Sequence, residues 1–350
     1  MLNKSTFAFV ITSSLFQGEQ AEIIFKLLNK LKVEIAWCYE PFKWFNNAKN
    51  IAGVTCNIVG IVNSGHPKNK IIYSEKIKKT VNNISPYLVP GPNLIVTKNN
   101  QQISGLARMT YGSMSNDDNN FTFDTEAYRK SVQNNPDNHR IFKLAMGGQE
   151  FVRGLIRPVL YITPTSNLSL DQTKEFQQVF EKVKSYRLTS KRVATQNLAK
   201  KPRYFAEPRD QGGFKVFVPQ VLSETRNFVT AGYIDDRCLV IAPHMQIINA
   251  PIYCMGIISS RLHLMWIATV CGKLKTDFRY SNTLGWHTFP VPTLTEKNKV
   301  DLKSCAEDIL LAREVHFPKT IADLYKPDEM PGNLRQAHEK NDETLERIYI

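Results

Sequence analysis

The chain has 350 residues, with 45 Lys and Arg against 32 Asp and Glu, a formal net charge of +13; its pI is near 9.4 and its mean hydropathy is −0.30. Apolar residues make up 42% and aromatics 10%, which excludes disorder for most of the chain and leaves material for about two domains. Six cysteines, none at C-x-x-C spacing, exclude a disulfide scaffold and fit buried thiols in a reducing cytoplasm.

The apolar run 7–11 is too short for a signal peptide, and no window approaches a membrane span, so a cytoplasmic protein without membrane attachment is expected. Residues 8–14 read as a buried strand. Residues 17–30 carry Ile23, Ile24, Leu27 and Leu28 on one helical stripe. Strands are predicted over 33–40 and 53–62, with a loop at 41–50 between them. Strand–helix–strand–loop–strand is half of an α/β unit. The Lys-rich stretch 63–79 reads as a linker, and 85–93, with three Pro and a Gly, as a rigid irregular segment. Helices are predicted over 122–133, 171–190, 260–273, 296–313 and 332–349, and strands at the end of 147–162 and over 212–221 and 237–243. The stripe Leu262, Met265, Trp266 and Val270 is expected to face a core.

The charge is segregated. Residues 294–350 hold 9 basic and 12 acidic residues, leaving 36 basic and 20 acidic, a net of +16, in the first 293. Within 185–228 nine basic residues stand against three acidic ones, interleaved with Tyr186, Tyr204, Phe205, Phe214 and Phe217. Such a mixture suits nucleic acid, although a solvated basic face would look the same. The acidic tail reads as a packing element. No G-x-G occurs, so the dinucleotide fingerprint and a methyltransferase-type glycine turn are both absent; there is no P-loop or G-x-S-x-G elbow. The histidines and cysteines form no metal-ligand spacing.

The run PFKWFNNAKNIAGVTCNIVGIV is more specific. With AFVITSSLFQGEQ before it and SPYLVPGPN after it, it resembles the MmeI-like family of type IIG DNA adenine methyltransferase/restriction enzymes and their methylase-only relatives. The likeness continues in order through GSMSND, GGQEFVRG, SKRVATQNLA, PQVLSETR, SSRLHLMWIATVCGKLKTDFRYSNTLGWHTFPVP, ADLYKPDEMP and AHEKNDETLERIY. It implies an α/β fold: an incomplete Rossmann-like methyltransferase sheet over 1–66, holding its last strands only, a linker over 67–100, an α+β target-recognition domain over 101–293 and a C-terminal helical region over 294–350. The family's glycine turn for S-adenosylmethionine and its Asn-Pro-Pro-aromatic motif have no counterpart here. Asn135-Pro136-Asp137 and Asn249-Ala250-Pro251 lack the second Pro in the right place. S-adenosylmethionine is thus expected to serve the complete enzyme and not to bind this chain alone.

By that resemblance Phe42 is the ring that stacks on a flipped adenine, Trp44 backs it, and Lys43 and Lys49 hold phosphates; the same aromatics would equally plug the loop onto a core. Glu224 and Arg226, two residues apart, would project to one side of an extended chain. Arg can grip guanine O6 and N7 while Glu accepts from cytosine N4, so the pair suits a base reader, or an ordinary ion pair. Lys191, Arg192, Lys273, Lys275, Arg279, Tyr280 and Asn282 are expected at the DNA, chiefly as phosphate contacts. The implied partners are double-stranded DNA and a separate chain carrying the N-terminal methyltransferase half; the alternative is a stand-alone DNA-binding specificity module without catalysis. Strand 8–14 is expected to present a bare apolar edge.

Overall fold

Strand β1 (Thr6–Thr12), helix α1 (Gly18–Lys30) and strands β2 (Val33–Tyr39), β3 (Phe42–Trp44), β4 (Val54–Asn63), β5 (Lys70–Tyr73) and β6 (Lys78–Val81) open the molecule. The structure, a computed structural model, describes residues 6–44, 54–65 and 69–350. The six strands form one sheet in the order β1-β4-β2-β5-β6, with β3 also pairing β4. Both β1 and β2 run antiparallel to β4, so they are parallel to each other and α1 joins them, while β5 is parallel to β2. A β-bulge between Ile35 and Trp37 lets Ile35 and Cys38, three residues apart, share one face with Val59 and Ile72, where they bury with Phe16 and Leu28.

The opposite face is aromatic. Tyr39 and Tyr73 are stacked at 4.8 Å, and Trp37 meets each of them edge-on at 6.2 and 6.3 Å. Trp37 lies over Gly60, where a Cβ would come within 2.1 Å of the indole; no residue but glycine fits beneath that ring. Strand β1 ends the strand order. Its Phe7, Phe9 and Val10 are 57%, 50% and 51% exposed, an apolar edge of the kind that invites pairing.

Three expectations change here. The strand over 8–14, read as buried, lies almost wholly exposed at the end of the sheet. The predicted loop 41–50 contains β3, because Phe42 and Trp44 alternate with Lys43 and pair with Cys56 and Val54. The expected linker 67–100 carries β5 and β6, and Val81 and Ile84 enter the same core. Polar residues hid that pattern. Lys70 is buried because Glu34 at 2.7 Å and Asn83 Oδ1 at 2.9 Å satisfy its amine.

The chain divides into two units. The first comprises the described residues up to Leu106 with Val221–Asn227 and Arg261–Thr293; the second holds Ala107–Gln220, Phe228–Ser260 and Leu294–Ile350. The stretch 101–293, expected as one domain, is therefore shared between them. Strand Val221–Leu222 pairs with Asp277–Arg279, which closes a hairpin with Gly272–Leu274. Gly272 thus opens a strand rather than capping the preceding helix, which ends at Val270. That helix, Arg261–Val270, buries His263, Ile267 and Val270. Met265, expected in the core, is exposed.

In the second unit, strands Gly232–Ile234, Lys215–Val218, Met245–Ile248 and Thr110–Tyr111 form one sheet, and Cys238–Val240, Phe142–Met146 and Pro158–Leu160 another. A core of Phe121, Phe142, Leu160, Phe176, Phe180 and Phe205 lies beside them. The predicted helix 171–190 is broken at Phe176 into Leu170–Glu175 and Gln177–Leu188. Helices Glu296–Glu314 and Gly332–Tyr349 pack on each other, and Asn341 Nδ2 donates to Gly256 O at 2.9 Å. Arg313 donates to Ala231 O at 2.7 Å and to the Tyr325 hydroxyl, which meets His338 Nε2 at 2.7 Å. The acidic tail is accordingly tied to the rest of the unit at Ala231 and Gly256 by buried polar bonds.

Candidate functional site

Three stretches far apart in sequence meet in one cleft of about 570 Å³ in the first unit. The turn from β1 into α1 supplies Thr12, Ser13, Ser14 and Gln17; β3, β4 and the residues before β3 supply Glu40, Phe42, Lys43 and Thr55. Glu224 follows strand Val221–Leu222, and Lys273, Lys275 and Thr276 come from the hairpin. Pairing of β1 and β3 with β4 gathers the first two stretches, and pairing of Val221–Leu222 with Asp277–Arg279 sets Glu224 against the hairpin. Glu224 is held at the hairpin by its own N–H, which donates to Asp277 Oδ1 at 3.2 Å.

The side chains divide by chemistry. The Phe42 ring stands 6.4 Å from that of Trp44, tilted by 46°; Phe42 is half-buried and Trp44 is 44% exposed. Lys43 projects from the other face of β3 and, like Lys275, makes no ion pair among the described residues. Lys273 lies 5.2 Å from the centre of the Phe278 ring, a cation–π contact that steadies its stem. Lys275 has φ +58° at the tip of the hairpin, where a glycine would be at ease and a lysine costs about 1 kcal/mol or more. Thr12 Oγ1 and Ser14 Oγ are 3.0 Å apart. Ser13 is buried, and its hydroxyl has no partner among the described residues. Three lysines against Glu40 and Glu224, with the amino end of α1 beside Gln17, favour an anion at this cleft.

Five of the sequence-predicted residues, Phe42, Lys43, Glu224, Lys273 and Lys275, therefore line one cavity. Arg226 lies on the Glu224 loop, half-buried, its N–H donating to Ser223 O at 3.2 Å. Arg279 is exposed on the hairpin strand. Lys191 and Arg192 are exposed in the second unit, just before helix Val193–Leu198. Lys49 lies outside the described residues.

Two residues expected at the DNA sit elsewhere. Tyr280 is 1% exposed, and its hydroxyl meets His263 Nε2 at 2.8 Å; burial drives its phenol well above the ordinary range and lowers His263 to about 3. Asn282 is buried at the start of the turn Asn282–Trp286. Both brace the hairpin from behind. The basic stretch 185–228 also loses members. Arg187 is fully buried, donating to the carbonyls of Asn116, Leu198, Lys201, Ser115 and Tyr204 at 2.8 to 3.2 Å. Lys215 is buried against Asp210 at 3.0 Å. Sequence reasoning missed the hydroxyl run Thr12-Ser13-Ser14; its signal was three consecutive hydroxyls where a strand turns into a helix.

The chain is similar to known proteins over nearly its whole length. Three family models match: the MmeI DNA-methyltransferase domain over residues 1–74, the MmeI target recognition domain over 90–293 and the MmeI C-terminal domain over 294–350. DNA methyltransferase A of Bacillus subtilis (strain 168) is 35% identical over 342 residues. The structure of the type IIL restriction-modification enzyme MmeI in complex with DNA superposes with a TM-score of 0.88 at 31% identity. Each likeness covers 98% of this chain, which spans 39% of the Bacillus protein's length and 47% of the MmeI chain.

Proposed function

We propose, from the premise that this chain belongs to the MmeI family of DNA methyltransferases with a target recognition domain, that it is the DNA-recognition and base-pocket portion of a site-specific adenine-N6 methyltransferase of a restriction-modification system. The reading rests on one observation above the others: a single cleft holds the Phe42 ring, a hydroxyl shelf and three lysines beside Glu224. N6 of adenine is out of reach inside a duplex, so the base must be extruded and held. Stacking on Phe42 returns about 1–3 kcal/mol of the unstacking cost. Lys43, Lys273 and Lys275 neutralise the phosphates flanking the extruded nucleotide, and Glu224 with Arg226 reads a base pair in the major groove. Such a protein works where its DNA lies, in the cytoplasm of a bacterial cell.

S-adenosylmethionine supplies the methyl group in this chemistry. The cleft does not fit it: there is no glycine turn to let the backbone approach the cofactor, and three lysines repel a sulfonium cation. No step of the reaction is therefore assigned to cofactor bound by these residues. The bare apolar edge of β1 and the aromatic face around Trp37 support a separate protein part that covers them and carries the glycine turn and the Asn-Pro-Pro-aromatic motif. The match of residues 90–293 to a target recognition domain supports a second reading, a specificity module that binds DNA without modifying it.

Selection of duplexes from a random pool by the full chain tests the recognition half of the proposal. An enriched motif is expected, and Arg226→Ala should relax it at one position by about 1–3 kcal/mol. Uniform weakening at every position would make Arg226 a phosphate contact. Methyl transfer separates the two readings: activity that appears only when the chain is mixed with a protein bearing the two missing motifs supports the split enzyme, and none in either case supports the module. Micromolar binding of S-adenosylmethionine by the chain alone would overturn the assignment of the cofactor to a separate part.

A further inference from the structure

The second unit has a basic cleft of its own, of about 620 Å³. Helix Thr125–Asn134 contributes Arg129 from its second turn, and the 3-10 turn Pro136–Ile141 contributes Arg140. Lys143 projects from strand Phe142–Met146, and Arg237 precedes strand Cys238–Val240. Against these four cations the cleft has one carboxylate, Asp236.

The four are not equally committed. Arg237 is tied to Asp235 at 2.6 Å, and Lys143 Nζ donates to Asp236 O at 2.5 Å. Arg140 reaches Asp137 only at 3.5 Å between exposed groups, a pair of little strength. Arg129 makes no ion pair among the described residues. Two guanidiniums are thus available for an anion, and the paired cations add to the field.

The floor is apolar: Phe142, Leu144, Ile156 and the ring of Tyr128. Tyr128 is half-buried and leans on Phe142 at 5.1 Å, which fixes its plane. His139 Nδ1 lies 2.6 Å from Pro136 O. A carbonyl can only accept, so Nδ1 donates this bond. An apolar, aromatic floor with one unpaired and one weakly paired guanidinium at the rim is complementary to a planar heterocycle bearing a phosphate. A volume of about 620 Å³ lies in the range of small-molecule sites.

We propose that this cleft binds a nucleoside phosphate, with the base against the half-buried Tyr128 ring and the phosphate between Arg129 and Arg140. The site is separate from the Phe42 cleft and does not depend on that reading.

Calorimetric titration of the full chain with AMP, adenosine and inorganic phosphate tests it. One AMP per chain is expected, bound about tenfold or more tightly than either half alone, because both parts of the cleft contribute. Arg129→Ala with Arg140→Ala should weaken AMP about tenfold or more, since charge-assisted bonds are removed. Both side chains are exposed, so the melting temperature should hold. If that variant does not fold, Arg129→Lys with Arg140→Lys keeps the charge and removes the fork, and should still weaken AMP. No AMP binding at millimolar concentration, binding untouched by these variants, or phosphate binding as tightly as AMP would each overturn the proposal. So would displacement of AMP by duplex DNA whose own affinity falls with the same variants, which would reassign the cleft to the DNA backbone.

Discussion

Arg187 and Lys215 in the second unit lie wholly buried; the five N–H groups of Arg187 meet five carbonyls, and Lys215 reaches Asp210 with three carbonyls around it. In the first unit Lys43 and Lys275 line an open cleft and form no ion pair among the described residues. The same formal charge does opposite work. A guanidinium whose donors are all used ties chain segments together and leaves no field for a ligand. A lysine with its amine unspent, such as Lys275 at the hairpin tip, keeps its charge for a ligand. The +13 of the sequence therefore overstates the charge offered to a polyanion: Arg187 and Lys215 are spent in the core, while Lys43 and Lys275 in the cleft and the exposed Lys191, Arg192, Lys200 and Lys201 keep theirs.

If the contrast holds, the largest effect comes from a buried cation. Arg187→Ala strands five carbonyls and should cost about 3–5 kcal/mol, read as a drop in the urea midpoint by circular dichroism. A decrease below about 1 kcal/mol would mean that water replaces the guanidinium and that Arg187 is not the tie described. Next comes the core behind the hairpin. His263 has its pKa lowered to about 3 by burial, against about 6.5 when unfolded. Between those values the unfolded chain binds the extra proton, so stability is complete above about pH 6.5 and falls as pH drops toward 3. The slope is at most about 1.4 kcal/mol per pH unit for this group. All four tryptophans, at 37, 44, 266 and 286, are in the first unit, so their fluorescence in urea follows this destabilisation. His263→Gln should flatten the profile, and an unchanged slope would put its origin elsewhere.

Much of this was legible in the sequence and some was not, for physical reasons. The opening strand, α1, β2, β4 and the two long C-terminal helices follow from apolar periodicity. Residues 70–81 were not legible as strands because Lys70 is buried on the strength of Glu34 and Asn83, partners that periodicity does not include. Tyr280 was misplaced because a tyrosine among Lys273, Lys275 and Arg279 looks like a surface residue until His263 is seen to take its hydroxyl. Phe42, Lys43, Glu224, Lys273 and Lys275 were named singly; that they share one cleft depends on the pairing of 221–222 with 277–279, which no local signal announces.

Phe42→Ala probes the aromatic side of the cleft. A duplex with an abasic gap or mismatch at the target position is easier to open, so the wild-type chain should bind it more tightly than a fully paired one. The variant should lose about 1–3 kcal/mol of affinity for a duplex whose target adenine is extruded while keeping its preference among recognition sequences. Disappearance of sequence preference instead would mean that Phe42 supports the recognition loops and not the base.

The smallest expected effect separates the lysines of the cleft from those spent in the core. Lys273→Ala and Lys275→Ala take a cation away from a phosphate without touching a base edge, so affinity should fall equally for all duplex sequences. The slope of log affinity against log salt should shrink by about 0.9 for each phosphate left unneutralised, and by about twice that in the double variant. Lys273→Ala also removes the cation–π interaction with Phe278, worth about 0.5–1 kcal/mol at an exposed site, so a modest fall in stability should accompany it. Lys275→Ala retains the strained φ and should leave stability nearly unchanged. If the salt slope stayed constant in both while affinity fell, the lysines would act by shaping the hairpin, and the division between spent and unspent cations would fail where it matters most.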